Sequence, residues 1–388
     1  MNKNQPLCRL SIDTDNDYLI NEILEVYTAN KDAFPIGVYI INGKPEKQSL
    51  AKWWAGRAIP CSRIGINNFE QKYRIKSAML PFKNHGLSLS DQYWIKPIDE
   101  NIQWKDINFF NNNFSLEMGK ALFDSSYISA ELDYMSPDST SDGMLPKKWI
   151  RDDITNKTYL IKAGSGPFEQ EPFNERIASN ILKLLNVENY VEYVKYNTIN
   201  ENGRYLCSCE NFIDENTEFV TANSIRNTKS LMSVNWNNLY DFFLKCCEPF
   251  FDIAITKQAL DIMLIIDYIV CNYDRHYGNF GFIKDVNNYK ILKVAPIFDS
   301  GSSLWNRSTI ATIGKNFEAK SFCPTHDENA KLITNYDLID FNRLKDIDDL
   351  VKDILKDNKN LPLERIDLVA KATKEQVNKL QKIKDLQR

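Results

Sequence analysis

"NYDRHYGNFG", Asn272 to Gly281, decides how this chain is read. It follows an apolar run, Lys257 to Tyr268, whose pattern predicts a long buried helix, and it turns abruptly polar. Asp274 and Asn279 are separated by four residues. At that spacing a carboxylate can accept the proton of an attacking hydroxyl while an amide holds a magnesium ion. Phosphoryl transfer asks for this pairing, because it needs little covalent help but does need alignment and charge neutralisation. His276 sits between the two and is expected to shape the loop or touch phosphate. No second histidine lies near enough in sequence to suggest a metal pair.

Working outward toward the C-terminus, "APIFDSGSSL" (Ala295 to Leu304) leads apolar residues into Asp299, with Gly301 close behind. A carboxylate at a strand end suits Mg²⁺, which takes oxygen ligands and few protein groups. Asp299 lies 20 positions after Asn279, room for a hairpin pairing Phe280–Lys284 with Lys290–Val294. Toward the N-terminus, "TYLIKAG" (Thr158 to Gly164) reads as a strand that ends on Lys162. A lysine closing an apolar strand run is unusual unless it faces an anion. The next segment, Glu171 to Val187, has Ile177, Ile181, Leu184 and Leu185 at helical spacing. Glu175, near its start, is the expected partner of Lys162, with Glu171 in reserve, because an uncompensated half-buried lysine is costly. "TSDGMLPKKW" (Thr140 to Trp149) places Gly143 and Lys147 between turn-formers and a strand, as a phosphate-covering loop would. It is neither Gly-rich nor a Walker A sequence.

The remaining segments frame this set. Up to about Asp133, short strand-like runs such as Gly37 to Ile41 alternate with aromatic pieces, and "AKWWAGRAIPCSR" (Ala51 to Arg63) reads as a packed helix end. Tyr134 to Gly143 is a composition break and reads as an exposed loop at a lobe boundary. Tyr190–Tyr196 and Tyr205–Ile213 look like strands, and the charged tail from Leu338 looks helical.

With 388 residues, 43% hydrophobic and 26% charged, the chain has the composition of a globular protein. Net charge is -4, so binding to nucleic acid cannot be argued from a basic field. Eight cysteines lack zinc spacing and read as reduced thiols, which suits the cytoplasm. No signal-peptide-like core opens the chain. The longest apolar stretch, Ile262 to Cys271, is short for a membrane span and is broken by Asp267.

Asp-Arg-His-x-x-Asn at Asp274–Asn279, together with "PIFDSGSSL" and "YLIK", resembles the HipA-like serine/threonine kinases of bacteria. The resemblance covers about Asp138 to Leu304 and the helical remainder of the chain. It implies an α+β, two-lobed, protein-kinase-like fold, with a nucleotide-binding β-rich lobe at 134–215 and a helical catalytic lobe at 216–388; chain order alone gives the region 1–133 the reading of an extension with a docking role. It also implies ATP and Mg²⁺ as cofactors and a protein substrate. Asp274 would be the base, Asn279 and Asp299 would hold Mg²⁺, and Lys162 would contact ATP. Glu210 to Phe212 would be the hinge that meets adenine through its backbone. In some members a phosphate-loop serine is autophosphorylated and the enzyme is thereby silenced; Thr140 stands nearest that position here, beside Ser139 and Ser141. The first part shows no visible likeness to the archetypal toxin, so that toxin's partner and substrate do not carry over, although an antitoxin or regulatory partner fits the family. The same Asp-Arg-His-x-x-Asn string is similar to phosphoinositide kinases. A lipid or small-molecule kinase, and a nucleotide-binding pseudokinase that serves as an interaction module, are the alternative readings.

Overall fold

The computed structural model describes every residue except 14–18, 125, 230–238, 316–317 and 388. Its architecture mixes α and β. Contacts divide the chain into two compact units. The first comprises Met1–Ile161, Asn211–Val220 and Ile283–Ile291; the second comprises Lys162–Glu210, Thr221–Phe282 and Leu292–Arg388. These units cut the chain along different lines from the ranges 1–133, 134–215 and 216–388.

Up to the first boundary the elements are β1 (Cys8–Asp13), β2 (Leu19–Val26), β3 (Ile40–Ile41), β4 (Lys44–Pro45), α1 (Lys47–Ala55), α2 (Ile66–Tyr73), α3 (Leu80–Lys83), α4 (Trp104–Ile107), α5 (Glu117–Phe123), β5 (Lys147–Arg151) and β6 (Thr158–Ala163). β1 and β2 pair antiparallel with two register shifts. Of the run Gly37–Ile41 only the last two residues form a strand, β3, paired antiparallel with β4. Aromatic residues supply much of this unit's core: Trp94, Trp104 and Phe109 form one buried cluster, and Trp54 anchors another. Arg57 is buried too and donates to the carbonyls of Gly86 and Tyr93, so "AKWWAGRAIPCSR" is a packed helix end.

Further along lie α6 (Glu171–Leu185), β7 (Asn197–Glu201), β8 (Arg204–Glu210), β9 (Thr217–Thr221), α7 (Ala222–Arg226), α8 (Leu239–Cys247), α9 (Ile253–Val270), β10 (Gly281–Asp285), β11 (Ile291–Val294), α10 (His326–Ala330), α11 (Ile347–Leu355) and α12 (Leu363–Gln387). Two sheets run in the orders β5-β6-β8-β7 and β11-β10-β9. The β10–β11 hairpin is the one expected from spacing. β7 and β8 turn at Asn202-Gly203, both with positive φ, as a tight hairpin turn requires. Tyr190–Tyr196 is not a strand. Only Tyr193 makes a bridge, parallel to Ile297, although Val191, Tyr193, Val194 and Tyr196 are all buried. An apolar alternation reports a buried extended chain, not a ladder partner.

α9 is the spine of the second unit. Asp252 caps its start by accepting from the Ile255 amide at 3.0 Å, and Cys271, at φ +53°, ends it. From Ala259 onward it is buried on every side, which explains why its sequence there is mostly apolar. Its two internal carboxylates do not face water. Asp261 accepts from the Thr334 amide and hydroxyl, and Asp267 serves the site below. The tail is helical as expected, in α11 and α12. All eight cysteines are free thiols. Among the described residues no helix is long and apolar enough to cross a membrane.

Candidate active site

Lys162, the penultimate residue of β6, is buried; its Nζ lies 3.0 Å from Glu175 Oε1 on α6 and 2.5 Å from Asp299 Oδ1. Burial pulls the lysine pKa down, but the carboxylates of Asp299 and Glu175 more than offset this and hold it well above the usual lysine range. The ammonium is therefore a permanent charge here. Glu175 is anchored a second time by the Ser300 amide, which donates to Oε2 at 2.7 Å. Its own carboxyl is pushed upward by burial, against the pull of Lys162. Glu171, the reserve partner, instead accepts from the Ser165 amide and from Asn306. Asp299 has φ +57°, a left-handed conformation uncommon for a residue with a side chain, and Tyr196 OH accepts from its amide at 3.3 Å. The Tyr196 ring also lies 5.5 Å from the lysine nitrogen.

The Asp274–Asn279 loop begins where α9 stops. Asn272 turns the chain: its Oδ1 accepts from the Asp274 amide at 3.0 Å, and its Nδ2 donates to Asp267 Oδ1 at 2.9 Å. Asn279 Nδ2 then donates to the Asp274 carbonyl at 3.1 Å, closing the loop on itself. Arg275, 1% exposed, holds this loop to its surroundings. It grips Asp267 with Nε at 2.9 Å and Nη2 at 3.0 Å. It also donates to the Asn279 carbonyl at 2.9 Å, to the Phe298 carbonyl, and to Ser300 Oγ at 2.9 Å. One guanidinium thus ties the loop to α9 and to both neighbours of Asp299, the planar fork-shaped role that suits arginine. The Asp274 carboxylate stays partly exposed and meets Lys320 Nζ at 2.6 Å. His276 is exposed, and its Nδ1 accepts from the Gly278 amide at 3.1 Å, which shapes the loop end.

Of the residues singled out in the sequence, Lys162, Glu175 and Asp299 come into direct contact, and Arg275 joins the Asp274–Asn279 loop to the chain around Asp299. Glu210 ends β8, and the unit boundary falls between it and Asn211. Phe212 belongs to the first unit, where its ring packs edge-on against Phe219 at 5.8 Å.

Gly143, Lys147, Ser139, Thr140 and Ser141 also belong to the first unit. There Tyr134–Gly143 is not an exposed loop. Asp138 and Ser139 are fully buried and Ser141 nearly so, in a 3₁₀ turn over Pro137–Thr140. The Ser139 hydroxyl donates to the Tyr134 carbonyl, and Thr140 Oγ1 donates to the Leu87 carbonyl at 2.6 Å. Arg63 donates to the carbonyls of Ser141 and Gly143. Turn-forming residues mark a change of chain direction; here their polar groups are satisfied internally rather than by water. Gly143, at φ +99°, uses the freedom that glycine allows.

Sequence reasoning did not foresee Asp267, Asn272 or Lys320 as parts of this arrangement. Asp267 carried a signal, since a lone carboxylate inside an apolar helix needs a buried partner, and Arg275 stands eight residues on. Lys320 carried none.

No protein-family model matches the chain. Over 213 residues it is 26% identical to the serine/threonine-protein kinase CtkA of Helicobacter pylori. That match spans 49% of this chain and 63% of CtkA, less than two thirds of the relative's length. The crystal structure of the H. pylori proinflammatory kinase CtkA aligns with 62% of this chain and 95% of that one, at 18% identity and a TM-score of 0.47. HipA of Shewanella oneidensis MR-1, solved in a toxin–antitoxin complex with HipB and operator DNA, aligns with 99% of this chain and 98% of that one at 11% identity and a TM-score of 0.56. The second likeness is one of fold, and it runs through residues 1–133. In sequence over about half its length, and in fold over nearly all of it, the chain resembles the HipA-like kinases.

Proposed function

We propose that the chain is an ATP- and Mg²⁺-dependent kinase of two-lobed, protein-kinase-like build that phosphorylates a serine or threonine hydroxyl of a protein. The observation that carries this reading is the contact of Lys162 with both Glu175 and Asp299, beside a loop that Arg275 holds to the same chain segment. A buried lysine between two carboxylates, 13 and 137 residues away in sequence, is the arrangement an ATP phosphate site needs in order to keep its cation charged and aimed.

The residues fit the cofactor. Among the described residues no group of three or more His, Cys, Asp or Glu could hold a metal alone. Mg²⁺ in such sites needs only one or two protein oxygens beside the phosphates. Asp299 and Asn279 would supply them. Mg-ATP supplies the phosphoryl group when bound. Lys162 binds its phosphates, oriented by Glu175. The resemblance gives Ser139–Gly143 with Lys147 the part of a phosphate loop and Glu210–Phe212 the part of an adenine hinge. Asp274 takes the proton of the acceptor hydroxyl, and His276 fixes the end of its loop. Residues 1–133 dock a protein substrate or an antitoxin-type partner; the HipA relative's complex with HipB supports a protein partner. Self-phosphorylation at Thr140, Ser139 or Ser141 requires the 3₁₀ turn to open first, since two of the three residues are buried.

The test is incubation of the full chain with Mg²⁺ and γ-labelled ATP, alone and with casein, followed by phosphosite mapping. The wild type should label protein hydroxyls. Asp274→Ala should lose about 10²–10⁴-fold in rate, the usual contribution of a general base, while binding ATP nearly as well. Tight binding of ATP by both proteins with transfer to no protein would favour the pseudokinase, and label on phosphoinositide alone would favour the lipid kinase.

A further inference from the structure

The Lys320–Asp274 contact is not an incidental surface pair. Lys320 stands in a tight turn, 318–325, that closes on itself. Glu318 bridges Thr325, and the Ala319 amide donates to the Pro324 carbonyl at 2.7 Å. Asn329, 3% exposed on α10, locks this turn from inside. Its Oδ1 accepts from the Phe322 and Cys323 amides, and its Nδ2 donates to the carbonyls of Cys323 and Thr325. Two residues after the lysine, Phe322 is buried against Tyr240, Phe243, Tyr277 and Phe280. Tyr277 and Phe280 flank Asn279 in the candidate catalytic loop. The turn that carries Lys320 is therefore packed against the loop that carries Asp274.

An exposed lysine held only by an ion pair would gain little and would sample many rotamers. Here the backbone beneath it is fixed on both sides, so its nitrogen is delivered to the carboxylate at 2.6 Å. We propose that Lys320 is a positioning residue of the transfer centre: it aims the Asp274 carboxylate at the acceptor hydroxyl and adds a cation, besides the one Lys162 supplies, at the base that takes the proton. This rests on the kinase reading above. In the step it serves, the acceptor oxygen bonds to the γ-phosphorus as the bond from that phosphorus to the bridging oxygen of ADP breaks. The hydroxyl proton goes to Asp274, and ADP leaves with the electron pair. A charge fixed near this centre acts on the rate rather than on nucleotide affinity, because it meets the group whose charge is redistributed.

The experiment compares the wild type with Lys320→Met, Lys320→Arg and the nearby exposed control Lys331→Met, all as full chains. It measures the maximal rate of γ-phosphate transfer to casein and to the chain itself, the half-saturating Mg-ATP, binding of a fluorescent ATP analogue, and melting temperature. Lys320→Met should lower the maximal rate about 10²-fold, the scale for removing one preorganised electrostatic donor. Its ATP analogue affinity should stay within about threefold of the wild type and its melting temperature should stay unchanged. Lys320→Arg should recover most of the rate, and Lys331→Met should match the wild type. Wild-type transfer with an unchanged Lys320→Met rate would overturn the assignment alone. So would a loss that appears equally in nucleotide affinity or melting. A wild type that binds the analogue but transfers to no acceptor would overturn the kinase reading and the assignment together.

Discussion

Replacing Arg275 by methionine tests the view that one buried guanidinium holds the catalytic loop. The native side chain is 1% exposed and makes six hydrogen bonds, three of them to Asp267, whose side chain is 5% exposed. Methionine fills much of the volume but strands the Asp267 carboxylate, the carbonyls of Asn279 and Phe298, and the Ser300 hydroxyl. Breaking a buried pair from one side costs about 3–5 kcal/mol. Asn272 still donates to Asp267 and offsets part of this, so the expectation is about 3–4 kcal/mol. Hydrogen exchange of peptides from α9 reads the second unit by itself, and urea unfolding gives the global value. The double variant Arg275→Met/Asp267→Leu removes the stranded charge and should recover at least about 2 kcal/mol relative to the single variant. A cost below about 1 kcal/mol, or no recovery in the double variant, would refute the clamp. In either variant the transfer rate should remain low, because the loop has lost its tie to the segment of Asp299.

Two further predictions follow from charges elsewhere in the molecule. Lys162→Met should reduce phosphoryl transfer by about 10²–10³-fold and weaken ATP binding, since Glu175 and Asp299 are left facing the phosphates without their cation; measured ATP affinity equal to wild type would count against it. Burial raises the Asp138 carboxyl from 3.8 to about 7, opposed by the Trp149 amide and the Arg63 charge. Because the folded state holds this proton to higher pH than the unfolded chain does, its contribution to stability is greatest below about pH 4 and declines as pH rises to about 7. At roughly 1.4 kcal/mol per pH unit the decline amounts to about 4 kcal/mol. Asp138→Asn should flatten that part of the stability profile, and urea midpoints from pH 4 to 8 that fall in parallel for both proteins would contradict it.

The chemistry of the site was legible wherever it is local. Asp274 and Asn279 share one loop, and Lys162 and Glu175 lie on consecutive elements, so type and spacing alone pair them. α6, α9, the β10–β11 hairpin and the helical tail were legible for a related reason: helical and strand periodicities are written in neighbouring residues. The same local reading failed at Tyr190–Tyr196, where alternation reported burial but not pairing, and at Tyr134–Gly143, where turn-formers were read as solvent-facing. Tertiary structure alone decided that Arg275 faces inward to Asp267 while its neighbour His276 faces water. It also brought Lys320 to Asp274 across 46 residues and made Asp138 a buried acid. These outcomes depend on which surfaces pack together and exclude water, and desolvation and long-range pairing are properties of the closed chain that no short stretch of residues specifies.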